Sequence, residues 1–491
     1  MLASRTSRRD QAERIVFCKG SFHDEAGFTR PDPRELRIDN LRASALAPSW
    51  TQSRDWQRAR KDLFLLLRLL PTGTMSSTFA GSRDPSDRRS MMAHPVLQRA
   101  AGPKTSEHEV EIVERKGLGH PDTLCDTIME QVAQSLVRMY VERTGAVRHF
   151  NCDKALLVAG DVNHRWGGGS VVEPMRLIMG DRATLTWNGA SLDVAGIAVE
   201  TAREWIRSHL RHVDPVAHVS YDVAMKPGAP ELAGLYAEDV VSNDTSAAVG
   251  YAPMTETERL VLETERFANS AGFKASFLET GEDVKVMGVR TGRSLQVTMA
   301  MPLLDRFLAG ERDYFERKER VRGAVLSHLR SQLGTIDEVS LTVNATDRPG
   351  AGLAGIYASV LGISAESADS GEVGRGNRGN GLISFSRPAG SEAIAGKNPI
   401  GHVGKIHGML AFALADRLVA SLPALEEVTV WLCSQIGQPL DRPQQIFLLA
   451  HLAPGAVPSD IEGSTQAIIH DELENLPAFC RALASGERHV P

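Results

Sequence analysis

The sequence is poor in cysteine and has no long apolar run. Its 491 residues include only five widely scattered cysteines, and no two of them form a Cys-x-x-Cys pair. This spacing argues against a structural zinc site and a disulfide framework, and it is typical of a protein of the reducing cytosol. No apolar run reaches the roughly 18 residues that span a bilayer. We therefore expect a cytoplasmic protein without membrane segments.

The chain also lacks a complete P-loop. The stretch Gly390–Pro399 imitates one, but five residues separate Gly390 from Gly396. Asn398 also stands where a Ser or Thr would contact magnesium. These departures argue against a P-loop kinase or ATPase.

Charge is distributed unevenly along the chain. The net charge is −6, yet residues 1–106 hold 19 Lys and Arg against 11 Asp and Glu, so the remainder is strongly acidic. An acidic body argues against a nucleic-acid partner. Residues 1–105 are rich in Arg, Ser and Pro with weak apolar periodicity, which predicts a disordered or removable extension. A transit peptide is the alternative, although such peptides usually lack acidic residues.

From residue 106 to residue 490, strand-like and helix-like patterns alternate. Apolar residues recur every four positions from Leu124 to Tyr140 and predict a helix that ends at Gly145. Similar patterns predict helices over 194–213, 256–268, 314–333 and 403–421, and strands over 109–113, 155–160, 216–223, 295–301, 339–344 and 427–432. Alternation without a clean linker predicts an α/β body of interlocked sub-domains.

Two segments place charged residues beside turns. In Glu114–Asp122, a glycine turn leads to His120 and Asp122 at the start of a helix, where N–H groups favour anions and a carboxylate could hold a hard cation. Asp122 could equally be a simple helix cap. In Gly281–Val286, alternation puts Asp283 and Lys285 on one face of a strand, which could bind a sugar phosphate or form a solvated edge.

Three further segments hold polar residues in loops. Asn243–Ser246 fits an Asx turn or a substrate contact at Asp244. Asp369–Gly381 is rich in glycine and contains Arg375, so it could bring a guanidinium to a polyphosphate or be a mobile surface loop. Lys397 is followed by His402 and Lys405, and this basic cluster near glycines could bind an anion or be solvated surface charge.

Together the motifs resemble the archaeal-type branch of the methionine adenosyltransferases. The resemblance covers roughly residues 107–490 and keeps the family's order. It is carried by VERKGLGHPDTLCD, GGG with a following Glu173-Pro174, NDTSAAVGYAP, LVLETERF, GEDVKVMG, GRGNRGNGLIS, AGKNPIGHVGKI and SQIGQP. Each motif alone is modest, but the ordered set is highly specific.

The resemblance implies an α/β (α+β) fold of three interlocked βαβ-type sub-domains with pseudo-threefold symmetry. It implies synthesis of S-adenosyl-L-methionine from ATP, L-methionine and water, with release of phosphate and diphosphate. It also implies Mg²⁺, K⁺ and a homodimer with active sites between subunits.

By motif position, the resemblance implies a role for individual residues. Asp122 becomes a Mg²⁺ ligand, and Asp283 is placed for the ribose. Asp244 and Asp369 are placed for the methionine ammonium and the adenosine, and Glu114 is a further binding candidate. The implied phosphate contacts are His120, Lys285, Arg375, Lys397 and Lys405, with His402 beside them.

The chain departs from the family pattern at several positions. The usual G-Q-G-S-M-D-L loop reads Lys226, Pro227, Gly228, Ala229, Pro230, Glu231 and Leu232. The second Asp of G-D-D-G is Ser370, and the aromatic residue after D-T-S is Ala247. A divergent paralog with weak activity, or one acting on a methionine analogue, is therefore the alternative. A non-catalytic partner subunit is disfavoured because Lys285, Arg375 and Lys397 are present.

Overall fold

The computed structural model describes residues 94–229 and 241–491. Its helices are α1 (Pro121–Thr144), α2 (Val194–His209), α3 (Glu256–Ala268), α4 (Ala271–Ser276), α5 (Glu311–Ser331), α6 (Val403–Ser421), α7 (Glu462–Glu474) and α8 (Leu476–Ser485). Its strands are β1 (Val96–Arg99), β2 (Val110–Lys116), β3 (Phe150–Asn151), β4 (Ala155–Val158), β5 (Asp161–Asn163), β6 (Ser170–Glu173), β7 (Met175–Met179), β8 (Arg182–Ala183), β9 (Thr186–Trp187), β10 (Ala190–Ser191), β11 (Val219–Val223), β12 (Ala247–Ala252), β13 (Lys285–Thr291), β14 (Ser294–Ala300), β15 (Leu303–Leu304), β16 (Glu338–Val343), β17 (Ala358–Ser359), β18 (Gly371–Glu372), β19 (Ile383–Ser384), β20 (Leu425–Cys433) and β21 (Gln445–Leu452).

The larger sheets have the strand orders β1-β21-β20-β12, β11-β7-β4-β18 and β16-β14-β13-β2-β19. Helix α6 packs on the first, α1 and α2 on the second, and α3 and α5 on the third. Each of these three sheets combines strands from distant parts of the chain. The predicted α/β class with interlocked sheets is therefore confirmed.

Helix α1 shows how the sequence sets an element next to the site. His120 is its N-cap, Pro121 occupies the first turn, and Gly145 ends the helix in the left-handed conformation with φ of 77°. Only glycine adopts that conformation without strain. The helix is buried along most of its length and packs on α2 and β4, so its N-terminal turn is rigidly placed.

Two expectations about the elements need correction. Strand β13 begins at Lys285, so Asp283 precedes the strand, where its N–H donates to the Gly362 carbonyl at 3.2 Å. Strand β1 lies inside the segment assigned to the extension, yet it pairs in parallel with β21 from Val96 to Arg99. The sheet therefore includes residues before 105.

Candidate active site

The site begins at the turn between β2 and α1, which packs tightly on the segment before β13. The Gly117 N–H donates to the Val284 carbonyl at 2.8 Å, and the Gly119 N–H donates to the Glu282 carbonyl at 3.0 Å. A β-carbon on either glycine would overlap these backbone atoms. Both glycines are thus needed for close approach, which brings His120 to the neighbourhood of Asp283.

Polar contacts fix His120 and Asp122 at the start of α1. The Asp122 N–H donates to His120 Nδ1 at 3.2 Å, and Lys116 Nζ donates to Asp122 Oδ2 at 2.9 Å. Burial lowers the pKa of His120 to about 4, although Asp122 partly opposes this shift. The imidazole is therefore neutral at physiological pH, and because Nδ1 accepts, its remaining hydrogen lies on Nε2.

The glycine-rich loop Asp369–Gly381 packs on the first turns of α1. The Glu372 N–H donates to Asp122 Oδ1 at 2.9 Å, and the Gly374 N–H donates to Asp126 Oδ1 at 2.8 Å. Burial raises the pKa of Asp126 to about 7, against the hydrogen bond from Gly374. Asp126 therefore anchors the loop rather than facing a cation. The loop holds the exposed side chain of Arg375 beside α1.

The first residue of β13 and the segment before it contain two predicted site residues, Lys285 and Asp283. Lys285 Nζ lies 3.3 Å from Glu114 Oε2 on the adjacent strand. Asp283 is buried and accepts hydrogen bonds from the N–H and the hydroxyl of Ser364. Burial, together with the charge of Asp369, raises the pKa of Asp283 to about 6 against the opposing effect of the Ser364 hydrogen bonds. Asp369 itself is exposed.

Lys397 belongs to a second charged group. Its ammonium lies 2.5 Å from Asp153 Oδ2 and 3.1 Å from Glu392 Oε2, and both Lys397 and Asp153 are buried. Burial alone would raise the pKa of Asp153, but Lys397 and Lys154 outweigh it and hold that pKa below its ordinary value. This buried ion pair fixes the position of the Lys397 ammonium.

A cleft of about 600 Å³ lies between the glycine-rich loop and the group around Lys397, and its lining does not include His120, Asp122, Asp283 or Lys285. Its wall includes Glu372, Gly374 and Arg375 from the glycine-rich loop, and Asp153, Lys154, Glu392 and Lys397 from the second group. Arg375 and Lys397 therefore face one cavity, which has a size typical of a small-molecule site.

The other basic candidates lie deeper in the protein. Lys405 is fully buried, and its ammonium donates to Glu130 Oε2 at 2.5 Å. His402 caps α6 by accepting from the Gly404 N–H at 3.2 Å, and burial lowers its pKa to about 3. In the described part of the chain, neither side chain lines the cleft.

Asp244 is exposed and lies beside the start of α6. Its neighbour Asn243 accepts from the Val403 N–H at 3.0 Å, and the Ser434 hydroxyl donates to the Asp244 carbonyl at 3.0 Å. Two motifs that are distant in sequence, NDTS and SQIGQP, thus meet at this helix end. Within a single chain, Asp244 stays outside the cleft lining.

The altered loop is described only in part. The backbone of Lys226 forms an isolated parallel β-bridge with the backbone of Arg182. The Arg182 guanidinium also donates to the Pro227 carbonyl at 3.3 Å. Gly228 packs on the His149 ring so closely that a β-carbon would overlap it, and Ala229 follows. The predicted contacts Pro230 and Glu231 lie outside the described residues.

Sequence reasoning missed several polar residues of the site, namely Lys116, Asp153, Lys154, Glu372 and Glu392. Lys116 had a signal, because it belongs to the same motif as Glu114 and Asp122. Asp153 and Lys154 precede β4 without any distinctive pattern, so only the fold reveals them.

Asp122 is the carboxylate that the family resemblance assigns to magnesium. Among residues 94–229 and 241–491, no group of three or more His, Cys, Asp and Glu side chains is placed to hold a metal. Mg²⁺ usually takes one or two carboxylates, keeps several waters and binds phosphate oxygens. Asp122 offers one carboxylate, whose Oδ2 accepts from Lys116 Nζ and whose Oδ1 accepts from the Glu372 N–H.

A family model and relatives with similar sequences agree with these motifs. A family model described as S-adenosylmethionine synthetase (AdoMet synthetase) matches residues 95–487. The chain is 40% identical over 400 residues to the S-adenosylmethionine synthase of Pyrobaculum neutrophilum, covering 80% of this chain and 98% of that protein. It is 40% identical over 390 residues to a probable S-adenosylmethionine synthase of Aquifex aeolicus, covering 78% and 96%. A solved structure, an unusual S-adenosylmethionine synthetase from Campylobacter jejuni, has a TM-score of 0.49 and 14% identity, covering 77% of this chain and 94% of that chain.

Proposed function

We propose a catalytic role for the cleft of this chain, which belongs to the S-adenosylmethionine synthetase family. The chain synthesises S-adenosyl-L-methionine from ATP, L-methionine and water, and releases phosphate and diphosphate. The observation that supports a role for the cleft is the convergence of Arg375 and Lys397 on one cavity beside the N-terminus of α1.

The reaction makes a particular demand on the protein. The methionine sulfur attacks C5′ of ATP, a C–S bond forms, and the C5′–O bond breaks as the triphosphate departs. The neutral sulfur needs no base, whereas the leaving group carries several negative charges. Preorganised cations in a site partly closed to water stabilise such charge more than they would in bulk solvent.

The cations of the site are held in place before substrate binds. Lys397 is fixed by Asp153 and Glu392, and Lys285 lies beside Glu114. Arg375 is presented by a loop that Asp122 and Asp126 anchor. Neutral His120 can donate a hydrogen bond from Nε2 to a phosphate oxygen. Together these groups would stabilise the triphosphate as it leaves and as water cleaves it.

The remaining contacts follow from the motifs. Asp283, Asp369 and Asp244 are proposed for the ribose, the adenosine and the methionine ammonium. Lys405 is proposed as a phosphate contact and His402 as a binding residue beside it, from their places in the motif that also holds Lys397.

Magnesium is proposed at Asp122, where it would neutralise phosphate charge and polarise the phosphoryl oxygens. Potassium is proposed from the family resemblance. A cytoplasmic location is proposed because Cys125, Cys152, Cys433 and Cys480 are free thiols. Separately, no helix in the described ranges is both long and apolar enough to cross a membrane.

A homodimer is proposed with the cleft near the subunit interface. Ile112 on β2 is 36% exposed, and Leu156 and Val158 on β4 are 42% and 36% exposed. Leu156 also lines the cleft. Apolar side chains on open sheet faces are candidates for a protein interface. An active monomer in sedimentation at working concentration would contradict the dimer.

The test of the function is incubation with ATP, methionine, Mg²⁺ and K⁺. S-adenosylmethionine, diphosphate and phosphate should form in equal amounts. Omission of Mg²⁺ should abolish the reaction, and omission of K⁺ should slow it. Release of phosphates without S-adenosylmethionine would contradict the proposal.

A further inference from the structure

The segment Thr280–Asp283 is held by two cations that the chemistry described above does not use. Lys274 Nζ donates to the Gly281 carbonyl at 2.5 Å and to the Thr280 hydroxyl at 3.4 Å. Arg211 donates to the Glu282 carboxylate and to the Thr280 carbonyl. Lys274 lies on the short helix α4. Arg211 follows the end of α2, a helix that packs on the sheet containing β11. Side chains from two separate parts of the chain thus hold the segment.

The Lys274 ammonium is in an unfavourable environment. The residue is 6% exposed, and its two hydrogen-bond acceptors are uncharged. Burial lowers its pKa to about 7, although the charge of Glu282 opposes the shift. A buried ammonium that donates only to uncharged acceptors in the described residues is normally costly to the fold. Such a residue is unlike a stabilising core residue, and it suggests a role other than stability.

The segment it holds ends at the residue proposed for the ribose. Asp283 follows Glu282 directly, and the Glu282 carbonyl also accepts from the Gly119 N–H, one residue before His120. Lys285, by contrast, is fixed independently, because it pairs with Lys116 on β2 and Ala300 on β14. Movement of Thr280–Asp283 would therefore displace Asp283 and leave Lys285 in place.

We infer that Lys274 and Arg211 are positioning residues that set the Asp283 carboxylate for the nucleoside part of ATP. The inference rests on the proposed role of Asp283 and deepens it. The inference concerns the binding of the ribose. ATP contains a ribose and free tripolyphosphate does not, so the two substrates should respond differently to a displaced Asp283.

The test uses the full chain and the variants Lys274→Met and Arg211→Met, with Arg207→Met as the matched control. Arg207 lies four residues earlier, on α2, and its guanidinium pairs with the exposed Glu204 carboxylate at 2.6 Å. For both test variants, KM for ATP should rise about tenfold or more, the scale expected for a slightly misplaced binding group. KM for methionine, and hydrolysis of added tripolyphosphate with the same metal ions, should stay within about twofold. Arg207→Met should match wild type.

The outcomes separate the inference from the function. If wild type forms no S-adenosylmethionine, the proposed function itself fails. If wild type is active and both variants keep the wild-type KM for ATP, the positioning role is overturned. It is also overturned if tripolyphosphate hydrolysis falls as much as ATP use does. Should Lys274→Met not fold, the more exposed Arg211→Met decides alone.

Discussion

Gly376 packs directly on Asp126, so that a β-carbon on the glycine would overlap the carboxylate oxygen Oδ2. The contact lies next to Arg375 and joins the glycine-rich loop to α1. The position of Arg375 therefore depends on the absence of a side chain at its neighbour.

Gly376→Ala should lower turnover because the loop must move away from α1. We expect a loss of about tenfold to a hundredfold, the scale for a displaced catalytic group. Gly323→Ala is the control, since that helical glycine has open space around it and alanine favours helix. Steady-state kinetics on both variants decide, and equal turnover in the two would show that the loop tolerates the shift.

Removal of residues 1–92 should preserve folding and activity, whereas removal of residues 1–105 should not. The longer deletion removes β1, which pairs with β21, and leaves that strand with unpaired backbone groups at a sheet edge. Thermal melts of the two truncated proteins measure the difference. Equal melting temperatures would mean that β1 contributes nothing to the stability of the fold.

Pro227→Gln tests the altered loop. Glutamine restores the side chain usual in the family, so KM for methionine should fall about threefold, close to the value of one hydrogen bond. Hydrolysis of tripolyphosphate should not change. A parallel change in both half-reactions would assign the loop another role.

The pKa of Lys274 predicts a pH dependence of stability. Its pKa is about 7 in the folded protein and near 10.4 when unfolded, so the unfolded chain binds the proton more tightly. This group therefore disfavours folding most at and below pH 7, and the penalty fades as pH rises towards 10. Lys274→Met removes it, so the variant's advantage in melting temperature should shrink from pH 7 to pH 9. A difference in melting temperature that stays constant from pH 7 to pH 9 would contradict the lowered pKa of the Lys274 amine.

Periodicity was a good guide to the helices near the site. It predicted residues 256–268 for α3 and residues 403–421 for α6, which are the observed bounds. Helix α3 has one apolar face and α6 is apolar along most of its length, so the local sequence carries the information. Strand β1 has four residues, and it exists only through pairing with residues about 350 positions later.

Local sequence patterns cannot predict which charged side chains pair with each other. The pairing of Lys405 with Glu130 spans 275 positions, and that of Lys397 with Asp153 spans 244. Motif resemblance could propose these lysines as phosphate contacts, but it could not show that Lys405 is buried. Burial depends on how α6 packs against α1, which is a property of the whole fold.

The central claim is that preorganised cations stabilise the departing triphosphate, and turnover of Lys285→Met and Arg375→Met tests it most directly. Methionine keeps much of the side-chain volume and removes the charge. Loss of one such donor typically costs roughly 3–4 kcal/mol, about a hundredfold to a thousandfold in rate. We predict that fall in S-adenosylmethionine formation at saturating substrates, with wild-type melting temperatures. Turnover of both variants within about threefold of wild type, only about 0.7 kcal/mol of barrier, would contradict the account.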